Sequence, residues 1–122
     1  MLDLLEKCPE ERYLVHGGYG YNNVLAQDGR VTAVLDWLDS MYGDFVYDFA
    51  VLNQWPPPGI DYPEMFYQYY TSHGMSLPNF RERLTCYQLY NGLDGMRFIA
   101  KTKNEEAYRS TCQKLEKLLS AL

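Results

Sequence analysis

The pair Asp28-Gly29, set between Val24-Leu25-Ala26 and the run from Val31 to Leu35, constrains this chain more than any other feature. Both residues tolerate positive φ, and a two-residue turn of that kind has the twist that paired strands need, so the segment reads as a β-hairpin. The hairpin ends at Asp36-Trp37. Upstream, Tyr13-Leu14-Val15 reads as a brief strand leading into His16, and Gly17-Gly18-Tyr19-Gly20 has too much backbone freedom for regular structure, which makes it a loop. Leu2, Leu4 and Leu5 suggest the tail of a helix that stops near Pro9.

Beyond the hairpin the pattern changes period. Phe45, Phe49 and Leu52 recur at helical spacing, with Asp44 placed to cap the first turn, and Pro56-Pro57-Pro58 ends the segment. Further helices are expected near Tyr62 to His73, Pro78 to Lys101 and Asn104 to Leu122. The stripes Phe80, Leu84, Tyr87, Tyr90, Leu93 and Tyr108, Cys112, Leu115, Leu119 are expected to pack in the core. The fold class is α+β, mainly α: a single domain over residues 1–122, with loop and hairpin at 12–37 packed on a helical part at 44–122.

At 122 residues the chain can bury roughly two-thirds of the surface its unfolded form exposes, enough for one core. A net charge of −5 argues against a partner rich in phosphate, so no nucleic acid is expected and a cationic small molecule or a metal ion suits better. No apolar run approaches the ~20 residues that span a bilayer, which points away from a membrane. Cys8, Cys86 and Cys112 are odd in number and lack C-x-x-C spacing, so they read as reduced, ordinary thiols of a cytoplasmic protein.

The chemistry lies between His16 and Asp48. Kinase catalytic loops read H-x-D-x-x-x-x-N: the Asp handles the acceptor hydroxyl, the Asn binds Mg²⁺, and a second Asp after the next strands binds the metal that bridges the nucleotide phosphates. His16 and Asn23 stand seven residues apart as the template requires, and Asp36 follows the hairpin. Mg²⁺ prefers oxygen ligands and keeps several waters, so one amide oxygen and one carboxylate suffice from the protein. Asn23 and Asp36 are therefore the candidate metal and nucleotide ligands, with His16 as an organiser of the loop. The glycine-rich stretch is no P-loop, because no Lys-Ser/Thr follows it.

The run CPEERYLVHGGYGYNNVLAQDGRVTAVLDWLDSMYGDFVYDFA resembles the aminoglycoside phosphotransferase family, especially its hygromycin-B phosphotransferases, and NGLDGMRFIAKTKNEEAY continues the likeness more weakly. The resemblance implies a kinase-like carboxy-lobe, ATP and Mg²⁺ as cofactors, an aminoglycoside-like acceptor and a role in antibiotic resistance. Two departures stand out. Gly18 occupies the position of the family's catalytic Asp, and Met1 falls just before the catalytic loop, so the expectation is that the amino-terminal lobe is absent.

The expected function is therefore that of a phosphotransferase carboxy-lobe, inactive or very weak alone. The alternative is a non-catalytic binding or assembly module, a pseudoenzyme acting as a homodimer or as the partner of a missing amino-terminal lobe. Asp44 and Asp48, four apart on a helix, read as a cap and a structural acid holding the loop rather than as metal ligands. Asp39, Asp61, Glu64 and Asp94 are candidates to face a cationic acceptor, although scattered surface acids are more often simply solvated. Trp37 and Trp55 read as core or interface anchors.

Overall fold

In the computed structural model, which describes residues 2–54 and 56–121, a short helix α1 (Leu2–Leu5) precedes strand β1 (Tyr13–Val15). An irregular loop then closes in a 3₁₀ turn, Tyr21–Asn23, that feeds strand β2 (Val24–Gln27) and its partner β3 (Arg30–Val34). Asp28 and Gly29 take φ of 52° and 74°, the left-handed pair that the hairpin turn requires. Val24 pairs with Val34 and Leu25 with Ala33, but Ala26 pairs with Val31, so Thr32 is an extra residue. Its hydroxyl donates to the Leu25 carbonyl at 3.2 Å, and the resulting bulge increases the ribbon's twist.

Strand β4 (Met41–Gly43), absent from the sequence expectations, pairs antiparallel with β1 through Leu14 opposite Tyr42. Helix α2 (Val46–Leu52) follows directly, so this two-stranded sheet brings the chain entering the loop beside the helix that holds it. Helix α3 (Tyr62–Ser72) starts with the Asp61 side chain accepting the Glu64 amide at 3.1 Å. Helix α4 (Phe80–Thr102) is the spine, and α5 (Glu105–Ser120) begins with the Asn104 side chain accepting the Ala107 amide at 3.0 Å.

Two clusters form the core, both built on α4. Val46, Phe49, Leu77 and Phe80 pack with α2 and α3, where Phe49 and Phe66 stack at 4.4 Å. Leu4, Cys86, Leu89 and Leu115 join α1, α4 and α5.

The expected stripes are corrected in part. Tyr90 and Leu93 are about half exposed, as are Tyr108 and Leu119, while the buried line on α4 runs through Phe80, Arg83, Cys86 and Leu89. On α4 the covered face is turned from the expected one: Cys86 and Leu89 face the core, while Tyr90 sits at its rim, 6.4 Å ring to ring from Tyr47 of α2. Trp37 is 45% exposed, its indole N–H donating to the Val34 carbonyl at 2.8 Å, so it anchors the end of the hairpin rather than the core. The expectation for Trp55 lies outside the described residues. Among those described, no helix is long and apolar enough to cross a membrane.

Candidate functional site

The loop after β1 is held from below by one carboxylate. Asp48, in the first turn of α2, accepts the amide of His16 at 2.8 Å and that of Gly17 at 2.9 Å, one on each oxygen. The sequence expectation of a structural acid describes this contact. His16 is buried, and its ring spans the loop: Nδ1 accepts the Gly18 amide at 3.2 Å, which leaves Nε2–H to donate to the Leu35 carbonyl at 2.8 Å. One neutral tautomer satisfies both bonds and ties the loop to the end of the hairpin.

Gly17 is a requirement rather than a spacer. It has φ of +84°, and a Cβ there would stand 2.2 Å from the Asp39 carbonyl oxygen. Gly18 differs: it lies outside the left-handed region, and a Cβ would meet only Asn23 Nδ2 and His16 Nδ1, each at 3.9 Å. The position has room for a side chain directed past the two residues of the template.

Asn23 donates its side-chain Nδ2 to the Gly18 carbonyl at 2.9 Å, which fixes the amide and leaves its oxygen without that duty. The Asn23 carbonyl accepts the Leu35 amide at 2.8 Å, so Asp36 is the next residue along the opposite strand end. Asp36 is exposed and has φ of 61°, a left-handed conformation that costs a non-glycine residue about 1–2 kcal/mol and is found disproportionately at functional sites. No group of three or more His, Cys, Asp or Glu among the described residues could hold a metal. An amide oxygen and a carboxylate at neighbouring backbone positions, with no cluster of His and Cys among the described residues to join them, suit a hard, water-keeping ion such as Mg²⁺ better than Zn²⁺, whose sites are built chiefly on His and Cys.

Sequence reasoning missed what supports α2. Asp44 is buried, and its Oδ1 accepts the Val46 amide at 3.0 Å, the capping contact expected of it. The same carboxylate is gripped by Arg83 on α4, through Nε at 2.8 Å and Nη2 at 2.5 Å, and accepts the Tyr87 hydroxyl at 3.0 Å. Burial works against the Arg83 charge, but the hydrogen bond and charge of Asp44 outweigh it and hold the guanidinium above its ordinary pKa. Burial, then hydrogen bonding to Cys8 and the Asp44 charge, push the Tyr87 phenol far up. An arginine interrupting an apolar stripe was the available signal.

The remaining candidate acids are committed locally. Asp61 caps α3, Glu64 pairs with Arg81 at 3.3 Å, and Asp94 pairs with Arg97 one turn along α4. Asp39 meets the loop through its backbone, against Gly17.

Residues 1–84 match the phosphotransferase enzyme family. The chain is 42% identical over 89 residues to the hygromycin-B 4-O-kinase of Escherichia coli, an overlap covering 73% of this chain and 26% of that protein. It is also similar to the crystal structure of aminoglycoside phosphotransferase APH(4)-Ia, with a TM-score of 0.73 and 31% identity over 98% of this chain and 41% of that one. A thermostable mutant of that enzyme in ternary complex with ADP and hygromycin B matches with a TM-score of 0.72 and 31% identity, over 98% of this chain and 41% of that one. The solved variants include alanine replacements of an Asp and of the two consecutive Asn residues four and five positions beyond it. Gly18, Asn22 and Asn23 stand at the same spacing here. The chain spans well under half the length of these relatives.

Proposed function

Because this chain belongs to the phosphotransferase enzyme family, we propose that it supplies the metal-binding half of an ATP-dependent O-phosphotransferase acting on a hydroxyl of a cationic, aminoglycoside-like small molecule. The observation that carries the reading is the loop itself: Asp48 holds the amides of His16 and Gly17, and Asn23 sits across the ribbon from Leu35, one residue before Asp36. The relatives act on or bind hygromycin B and bind ADP or AMP-PNP, and the net charge of −5 suits a polycationic acceptor.

In this reading Asn23 and Asp36 hold Mg²⁺, which would supply charge neutralisation at the nucleotide phosphates. His16 keeps the loop in register, and Gly18 stands where a base would accept the acceptor's proton. General-base catalysis contributes about 10²–10⁴-fold, roughly 3–5 kcal/mol of barrier, so Gly18 leaves transfer slow. Positioning of the phosphates contributes more still, and most of the relatives' length lies outside these 122 residues. The isolated chain is therefore expected to turn over negligibly with MgATP and a panel of aminoglycosides. Gly18→Asp, with an amino-terminal lobe supplied in trans, is expected to restore transfer. Turnover by the unaltered isolated chain at the rate of a full-length enzyme would overturn the reading.

A second reading, a non-catalytic assembly module, draws on the exposed apolar surface. Leu14 is 60% exposed, Tyr42 77% and Leu38 89%, with Leu25 and Val31 exposed on the hairpin. Such surface suits a second copy or a partner subunit. Light scattering that finds a monomer at every concentration tested counts against it.

A further inference from the structure

Arg83 is a buried charge, 1% exposed, in a line of α4 residues that is otherwise apolar. Its fork meets Asp44 with two nitrogens on two oxygens, and Nη1 donates to the Pro78 carbonyl at 3.1 Å. Nη2 also lies 3.8 Å from Glu11 Oε2, an atom removed from solvent that has no hydrogen bond of its own. Glu11 lies two residues before β1, which enters the loop, and Asp44 two residues before α2, which holds it. One guanidinium thus faces both approaches to the loop.

We propose that Arg83 is a positioning residue for the phosphotransfer loop: by fixing the Asp44 carboxylate it sets the rotation of α2, and hence the aim of Asp48 at the amides of His16 and Gly17. The assignment of the loop to phosphoryl transfer rests on the function proposed above; the mechanical coupling does not. Asp44 and Asp48 are four residues apart, about one helical turn, so turning α2 about its axis moves both carboxylates together. Asp44 is tied to α2 by its own bond to the Val46 amide, and a bidentate guanidinium fixes the plane of the carboxylate as well as its charge. A buried ion pair often gains little net stability over apolar residues of the same volume, so orientation is what this one adds. Lysine, a point charge without the fork, cannot supply it.

The test compares Arg83→Lys with Leu115→Ala, a core change in the other cluster. Two readouts are taken on the 122-residue chain: hydrogen exchange of the His16 and Gly17 amides relative to amides of α4, and affinity for Mn²⁺ in the presence of ATP. Arg83→Lys is expected to speed exchange at His16 and Gly17 about tenfold relative to α4 and to weaken Mn²⁺ binding by a similar factor. Leu115→Ala is expected to lower the melting temperature while leaving that ratio unchanged. If Arg83→Lys speeds all amides alike, as a uniformly destabilised protein does, the proposal is wrong. Should Arg83→Lys fail to fold, Tyr87→Phe, which removes one hydrogen bond from Asp44, carries the same comparison. A native chain that binds no Mn²⁺ counts against Asn23 and Asp36 as a metal site sufficient in themselves, while the exchange ratio still decides the coupling.

Discussion

A methyl group added at Gly17 would stand 2.2 Å from the Asp39 carbonyl oxygen, which is backbone and cannot swing aside, and would have to accept φ of +84°. Gly17→Ala is therefore expected to cost about 2–4 kcal/mol in urea denaturation and to release the Asp48 contacts. Its neighbour behaves oppositely. At Gly18 the nearest contacts are ordinary, at 3.9 Å, so Gly18→Asp is expected to fold with a stability change within about 1 kcal/mol. In a complemented enzyme it should raise the transfer rate about 10²–10⁴-fold, measured as phosphate incorporated into the acceptor. Equal damage from the two substitutions would contradict this picture of the loop. The sequence marks both residues as loop glycines and cannot separate them, because the group that distinguishes Gly17 is 22 residues away at Asp39.

Elements with local signals were legible. The Asp28-Gly29 hairpin, the strand at Tyr13 and the later helices follow from turn chemistry and periodicity, which act within a few residues. Strand β4 was not legible, since Met41-Tyr42-Gly43 carries no alternation and becomes a strand only because β1, some 28 residues earlier, offers its edge. The inner line of α4 was misread for a related reason: periodicity finds a stripe, but the neighbours decide which stripe is covered. Arg83 joins the core because Asp44 waits there, while Tyr90 stays at the rim, touching Tyr47 of α2 and otherwise exposed. At the end of α4, Lys103 adopts φ of 55° and donates its amide to the Ala100 carbonyl at 3.3 Å. Glycine takes that conformation without the side-chain penalty, so Lys103→Gly is expected to stabilise the chain by about 0.5–1 kcal/mol in thermal unfolding. A lower melting temperature would show that the lysine side chain makes a contact worth more than the strain.

Across the whole molecule, the resolved shifts of acids that ionise at high pH all run upward. Burial, with smaller contributions from Tyr90 and the acids Asp48, Asp94 and Asp39, pushes Tyr47 from 10.0 to about 12. Burial, with Cys8 adding to it, pushes Cys86 from 9.0 to about 11, and Tyr87 moves in the same direction. Each group is neutral in the fold at a pH where the unfolded chain would already have lost the proton. Raised values of this kind give stability that is complete below the unfolded pKa and disappears as pH climbs through the folded one. The window is therefore alkaline: stability should hold to about pH 9, then fall progressively toward pH 12 as first Cys86 and then Tyr47 are forced to ionise. Arg83 stays charged throughout, so the Asp44 pair does not fail first and unfolding should begin where the neutral acids lie. Melting temperatures measured across that range, with tyrosinate absorbance followed in parallel, check the order. Part of the tyrosine signal should appear only with unfolding, and Tyr47→Phe should flatten the upper part of the decline. A melting temperature that is level from pH 9 to 11.5 would mean that these groups reach water without unfolding, and that the packing of α4 against α1 and α5 around Cys86 is looser than its burial indicates.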